Sequence, residues 1–208
     1  MARWVVVSPN LTKNEEYYPR GPSVSFYRIM AWLGDVGFDY VLQRELDTVA
    51  LRSGWLPRVQ TLARVYEDLK GPEGLWVLGS LDFKEFGKES RKWHLPGESG
   101  WQLRRGLHLN GNALYHVGSP RFLWVLALAE LDPCSPVTDK LHNVKKGLFD
   151  IDLYATMHHS CHLRVLAKDY HRYVYSNFIV NRYHWKASLA ELRMEFPEAY
   201  LAHLGSQF

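Results

Sequence analysis

Long apolar runs, blocks of like charge, internal repeats and a cysteine framework are all missing from this chain of 208 residues. Its most apolar stretch, "FLWVLALAEL" from Phe122 to Leu131, is ten residues long, about half of what a bilayer crossing needs. No membrane span is therefore expected. Only two cysteines occur, Cys134 and Cys161. Their spacing makes neither a metal-type pair nor a disulfide scaffold, which points to a reducing compartment. The opening "MARWVVVSPN" turns polar too soon for a secretory signal, so the expected location is cytoplasmic. Basic residues outnumber acidic ones by 25 to 22, for a net charge of +3. With no run of five or six basic residues, the charge gives mild attraction to anions and no specific nucleic-acid footprint.

What is present is a packable chain. Hydrophobic residues make up 47% and aromatics 14%, with eight Trp and twelve Tyr, enough apolar surface for one full-sized domain with a real core. Aromatics line sugar and base sites, and more commonly fill cores.

Apolar periodicity sets out the elements. "RWVVVSP" reads as a buried strand ending at Pro9. Ser23 offers an N-cap to a helix carrying Phe26, Ile29, Met30 and Leu33 at helical spacing. "DYVLQ" returns as a strand, so the default is a parallel βαβ unit. Val59, Leu62, Ala63, Tyr66 and Leu69 mark a second helix, and "LWVLGSLDF" a third strand. Residues 84–106 are polar and rich in glycine and charge, longer than an ordinary connector. "LHLNGNALYHVG" then reads as a strand or hairpin, and "SPRFLWVLALAEL" as a helix with Ser119 as N-cap and Pro120 in its first turn. "FDIDLYATMHHSCHLRVLAK" reads as a helix, "YVYSNFIVN" as a strand and "KASLAELRMEF" as a last helix. The expected fold class is α/β, a mainly parallel open sheet flanked by helices, in a single domain over 1–208. Residues 1–83 would form its βαβαβ part and 84–208 the remainder.

Chemistry concentrates first at "QRELDT". In an extended chain Glu45 and Asp47 share a face while Leu46 turns to the core. Ligands of parallel α/β sheets bind beyond the carboxyl ends of the strands. An acidic pair there suits a hard divalent cation, which takes oxygen ligands; alone, E-x-D is more simply a solvated strand end. Three neighbours tilt the balance. "GWL" follows at once, placing Trp55 as a wall. "VLGS" puts Gly79 and Ser80 at the next strand's end, where a ligand needs close backbone approach. "HLNGNALY" sets His108, Asn110 and Asn112 around Gly111, one polar face of a strand or a polyol-binding loop.

In that order, "ELDTVALRSGWL", "LWVLGS" and "HLNGNALY" resemble the GT-A-fold glycosyltransferases, most closely from Tyr40 to Tyr115. The resemblance implies a Rossmann-type layout, a nucleotide-sugar donor, a manganese or magnesium ion, and transfer to a hydroxyl of a glycan or glycoprotein acceptor. Glu45 and Asp47 would hold the metal and diphosphate. Trp55, Gly79, Ser80, His108, Asn110, Gly111 and Asn112 would contact donor or acceptor. A further metal ligand would come from His203 in "FPEAYLAHLG", with His184 of "NRYHW" as rival. Only 44 residues precede Glu45, fewer than the nucleotide-binding half of the family occupies. On that resemblance the nucleotide-binding half would be abbreviated, lost, or supplied by another domain of a multidomain enzyme.

An acceptor hydroxyl needs a base if configuration inverts. Asp150 and Asp152 of "FDIDLY" supply carboxylates at a helix start, where the dipole favours ionisation and where helix stabilisation is the plainer role. Lys145, Lys146, Arg20, Arg104 and Arg105 could meet a diphosphate or simply be solvated. "MHHSCH" brings His158, His159 and His162 close on a helix, but no H-E-x-x-H is present, so a metal-dependent hydrolase ranks low. The other competing reading is a non-catalytic module binding glycan or nucleic acid.

Overall fold

The computed structural model describes residues 8–17, 20–71, 73–81, 109–131, 149–158, 166–181 and 188–204. The expected strand over Arg3 to Pro9 falls largely outside them, as do Cys134, Cys161, Lys145, Lys146, Arg104, Arg105, His108, His159, His162 and His184.

The chain enters helix α1 (Arg20–Asp35), passes strand β1 (Val41–Leu42) and strand β2 (Thr48–Ala50), and continues into helix α2 (Trp55–Lys70). Strand β3 (Val77–Leu81) and strand β4 (Leu109–Tyr115) come next, followed by helix α3 (Pro120–Leu131) and helix α4 (Phe149–His158). Strand β5 (Tyr173–Tyr175), strand β6 (Ile179–Asn181), helix α5 (Leu189–Glu195) and strand β7 (Leu201–His203) complete the described part. The class is α/β, as expected. The single strand read over "YVYSNFIVN" is two, broken over Ser176, Asn177 and Phe178 and divided between two sheets.

The mainly parallel sheet is not what forms. One sheet has the order β1-β4-β3-β5 and the other β2-β7-β6. Strand β4 runs antiparallel to both β1 and β3, and β2 antiparallel to β7; only β3 with β5 and β6 with β7 are parallel. The parallel partner expected for "DYVLQ", the strand over Arg3 to Pro9, falls largely outside the described residues; β1 and β3 do point the same way, in keeping with the alternating pattern. It could not foresee that β4 would insert between them, because an apolar run reports burial on both faces and not the identity of the neighbour. Both sheets draw strands from either side of residue 84, so the two sequence halves share one framework.

Packing follows from strand alternation. Val77, Ala113, Tyr115 and Tyr173 face α1, α3 and α4, where Phe26, Met30, Phe122, Val125 and Leu153 are buried. Leu78 and Leu114 face the other way, onto Val59 and Ala63 of α2 and onto Ile179 and Leu201 of the second sheet. Leu192 of α5 is buried against Leu51, Val180 and Ala202 on that sheet.

Caps set the helix starts. Ser119 accepts from the Phe122 amide at 3.1 Å, as expected of an N-cap. Ser188 and Glu191 form a reciprocal capping box at α5. Ser23 is not an N-cap: α1 begins three residues earlier, and the buried Ser23 hydroxyl instead accepts from the Phe149 amide at the start of α4. Gly54 precedes α2 at φ 74°, a left-handed conformation that a side chain would strain.

Candidate metal centre

Strand β1 ends at Leu42, and the chain then leaves the first sheet to join the second. Residues 45–48 make that crossing as a tight turn, closed by the Thr48 amide donating to the Glu45 carbonyl at 3.0 Å. Leu46 sits at its tip and is 107% exposed. The expectation that Leu46 faces the core therefore fails, because alternation holds only while the chain stays extended. Glu45 and Asp47 still end on one side, put there by the turn.

Opposite the turn lies β7. Thr48 pairs with His203 in register, and the Leu204 amide donates to the Asp47 carbonyl at 3.2 Å. This pairing drives the His203 ring under the acidic turn. Its Nε2 lies 2.8 Å from Glu45 Oε2 and 3.1 Å from Asp47 Oδ1. The imidazole is 1% exposed, Asp47 20% and Glu45 47%, so a deep nitrogen is overlaid by two progressively more open carboxylates.

A single Nε2–H serves both carboxylates only as a shared, three-centre hydrogen bond, and even a charged imidazolium balances only one of them. A divalent cation fits the set better. Ligands at right angles around an ion held at about 2.1 Å stand about 3 Å apart, close to the two separations seen. The donors are two carboxylate oxygens and one imidazole nitrogen, mainly hard oxygen with one borderline nitrogen. Among the described residues, Glu45, Asp47 and His203 are the group of His, Cys, Asp or Glu whose ligand atoms converge within 4.8 Å. A cleft of about 540 Å³ lined by Asp39, Glu67, Asp68 and Glu73 is acidic, but its carboxylates do not converge in that way.

The other predicted site residues sort differently. Asn112 is fully buried, and its side-chain oxygen accepts from the Glu45 amide and the Thr48 hydroxyl, each at 2.7 Å. It serves the turn from beneath and is not exposed to contact a sugar. Gly111 makes room for a ring: a Cβ there would lie 2.7 Å from Phe149 Cζ, and Phe149 stacks on Phe26 at 4.0 Å. Gly79 likewise faces protein, since its Cβ would lie 2.9 Å from the Ala113 Cβ. Ser80 is buried. The Asn110 side chain is outside the described set.

Trp55 opens α2 and carries the Arg44 guanidinium 5.2 Å above its ring, a cation–π contact. Arg44 also donates to the Thr48 carbonyl at 2.6 Å, tying Trp55 to the acidic turn. Sequence reasoning passed over Arg44; its place beside the E-x-D pair was the available signal.

Asp150 and Asp152 part company. Asp152 is buried; burial pushes the Tyr27 hydroxyl well up, and the Asp152 charge adds to that shift. Asp150 is half-buried. Burial pushes the Tyr115 hydroxyl well up, and Asp150 and then Glu45 add to the shift. These two carboxylates therefore bear on one buried phenol, with Asp150 on the helix side and Glu45 on the turn.

Comparison with known proteins gives no matching family model, no matching curated protein and no matching solved structure. Among the described residues no helix is long and apolar enough to cross a membrane.

Proposed function

We propose that this chain is a metal-dependent glycosyltransferase, moving a sugar from a nucleoside-diphosphate donor to a hydroxyl of a glycan or glycoprotein acceptor. The observation that carries the proposal is the convergence of His203 on Glu45 and Asp47. The resemblance offered that histidine as a further ligand, with His184 as rival, and the His203 Nε2 lies within 3.1 Å of both carboxylates. The mixed sheet and its antiparallel centre lend the reading no support of their own; it rests on the donor set.

Glu45, Asp47 and His203 would hold manganese or magnesium, which supplies positive charge beside a departing diphosphate. Arg44, fixed against Trp55 and the Thr48 carbonyl, adds a permanent cation to the rim. Trp55 presents a half-buried indole there, of the type that stacks on sugar or base. Asp150 is the better placed of the two candidate bases, being half-buried where Asp152 is buried; a base must reach the proton it takes.

The test is thermal denaturation with nucleoside diphosphates, with and without Mn²⁺. A ligand at a hundred times its Kd adds about 2.7 kcal/mol, which is about 5–10 °C in Tm for a chain of this size. That gain should appear only when the metal is present. Asp47→Asn should abolish metal-dependent donor hydrolysis and leave the metal-free Tm in place. No synergy between metal and nucleotide in the folded protein, or full activity in Asp47→Asn, overturns the proposal.

A further inference from the structure

The segment "NGN" breaks the ladder between β3 and β4. Gly79 pairs with Ala113, whereas Leu81 pairs with Leu109. Two steps along β3 thus correspond to four along β4, and Asn110, Gly111 and Asn112 together face Ser80. This is a bulge, a device that re-aims side chains and bends a strand. On the other edge of β4, the ladder with β1 runs through Val41 and Leu42, and the Gln43 amide still donates to the Ala113 carbonyl at 3.0 Å. After Gln43 the chain departs toward the acidic turn. The bulge thus turns Asn112 toward the place where that chain leaves the sheet.

We propose that Asn112 is a positioning residue for the metal centre, acting through the turn that carries two of the three ligands. The inference rests on the metal reading given above. A carboxamide oxygen has two lone pairs. In Asn112 one accepts from the amide of the first residue of the turn, Glu45, and the other from the hydroxyl of the last, Thr48. A single buried atom therefore brackets the turn at both ends. Thr48 is in turn the residue paired with His203, so the bracket sets the carboxylates and the imidazole in one register. The clasp thus fixes the backbone of the turn from which the half-exposed Glu45 carboxylate projects. Aspartate at this position would place a buried negative charge beneath the two carboxylates, and an apolar residue would strand the buried Thr48 hydroxyl and the part-buried Glu45 amide. The Thr after E-x-D and the second Asn of "NGN" are thus two halves of one clasp, and neither is a sugar contact.

Mn²⁺ binding to the full chain, followed by calorimetry well below the melting temperature, tests this. Outer-shell partners of metal ligands typically contribute 10- to 100-fold in affinity, and Asn112→Ala should fall in that range. Thr48→Val keeps the shape of the buried side chain, loses only the hydroxyl, and should weaken Mn²⁺ by about tenfold. Thr48→Ser restores the hydroxyl and should restore affinity. A residue that merely supported the fold would lower the metal-free Tm and leave the Mn²⁺ affinity of the folded variant unchanged. If Asn112→Ala fails to fold, the Thr48 pair decides the matter by itself. Wild-type affinity in Thr48→Val, with binding abolished in Asp47→Asn, overturns the clasp and leaves the metal site standing. Absence of Mn²⁺ binding to the wild-type chain overturns the metal site, and the clasp's role with it.

Discussion

Replacing Gly79 with alanine tests whether the "VLGS" strand end serves a ligand or the packing of the sheet. Gly79 does not adopt a left-handed φ, so the backbone accepts alanine without strain and only space decides. The new Cβ would meet Ala113 Cβ at 2.9 Å, and Leu109 Cδ1 and Cβ at 3.4 and 3.5 Å. The leucine tip can swing aside. The Ala113 Cβ cannot, because it has no rotatable bond and its strand is hydrogen-bonded on both edges. Overpacking of this kind costs about 1–3 kcal/mol, and the lower entropy of the unfolded alanine chain returns about 0.4–1 kcal/mol. A net loss centred on about 1.3 kcal/mol, within a span of about 0–2.6 kcal/mol, is expected, roughly 3–5 °C in Tm at the centre. Ala113→Gly removes the opposing methyl and alone should cost about 0.5–1 kcal/mol. The double variant exchanges the two residues across the ladder and recovers the space, so the cycle should show a favourable coupling of about 0.5–3 kcal/mol. Urea denaturation measures each term, provided the m-value stays constant. Wild-type stability in Gly79→Ala, or strictly additive behaviour in the double variant, would refute the packing account. Gly79 would then return to the role of a residue cleared for a bound ligand.

Two further expectations concern the turn and the N-terminal region. Leu46→Ser should change stability by no more than about 0.5 kcal/mol, because the side chain stands in solvent; had Leu46 faced the core, its truncation would cost about 2–5 kcal/mol, and chemical denaturation separates the two. Glu15 has its pKa lowered from the ordinary 4.5, first by the Thr12 amide and then by the Thr12 hydroxyl, with Arg28 also contributing. A lowered folded pKa means that the stabilisation is present above 4.5 and is lost as pH falls through the lowered value. The gap in stability between wild type and Glu15→Gln should therefore close on acidification, and a gap independent of pH would contradict the assignment.

Local chemistry was legible wherever a single segment decides the outcome. The helix over "SPRFLWVLALAEL", capped by Ser119 and opened by Pro120, forms as the sequence implies, because a cap and an apolar stretch are properties of contiguous residues. "RELDT" could be marked as a carboxylate pair in the same way. What failed were inferences that needed a neighbour. Alternation put Leu46 inside, and the chain had already left the sheet. The glycines of "LGS" and "NGN" looked cleared for a ligand, yet Ala113 and the Phe149 ring occupy those spaces.

By itself, then, the sequence determined that this is an α/β chain with a real core, where the helix capped by Ser119 begins, and which residue types are available to hold a cation. Tertiary structure alone decided that β4 inserts antiparallel between β1 and β3, that a bulge turns Asn112 beneath the acidic turn, and that β7 delivers His203 to it. The division has a physical cause. Helix caps and periodicity depend on residues a turn or two apart, whereas strand order and a three-residue donor set depend on which distant segments bury each other's faces. Nothing in either segment alone records that choice.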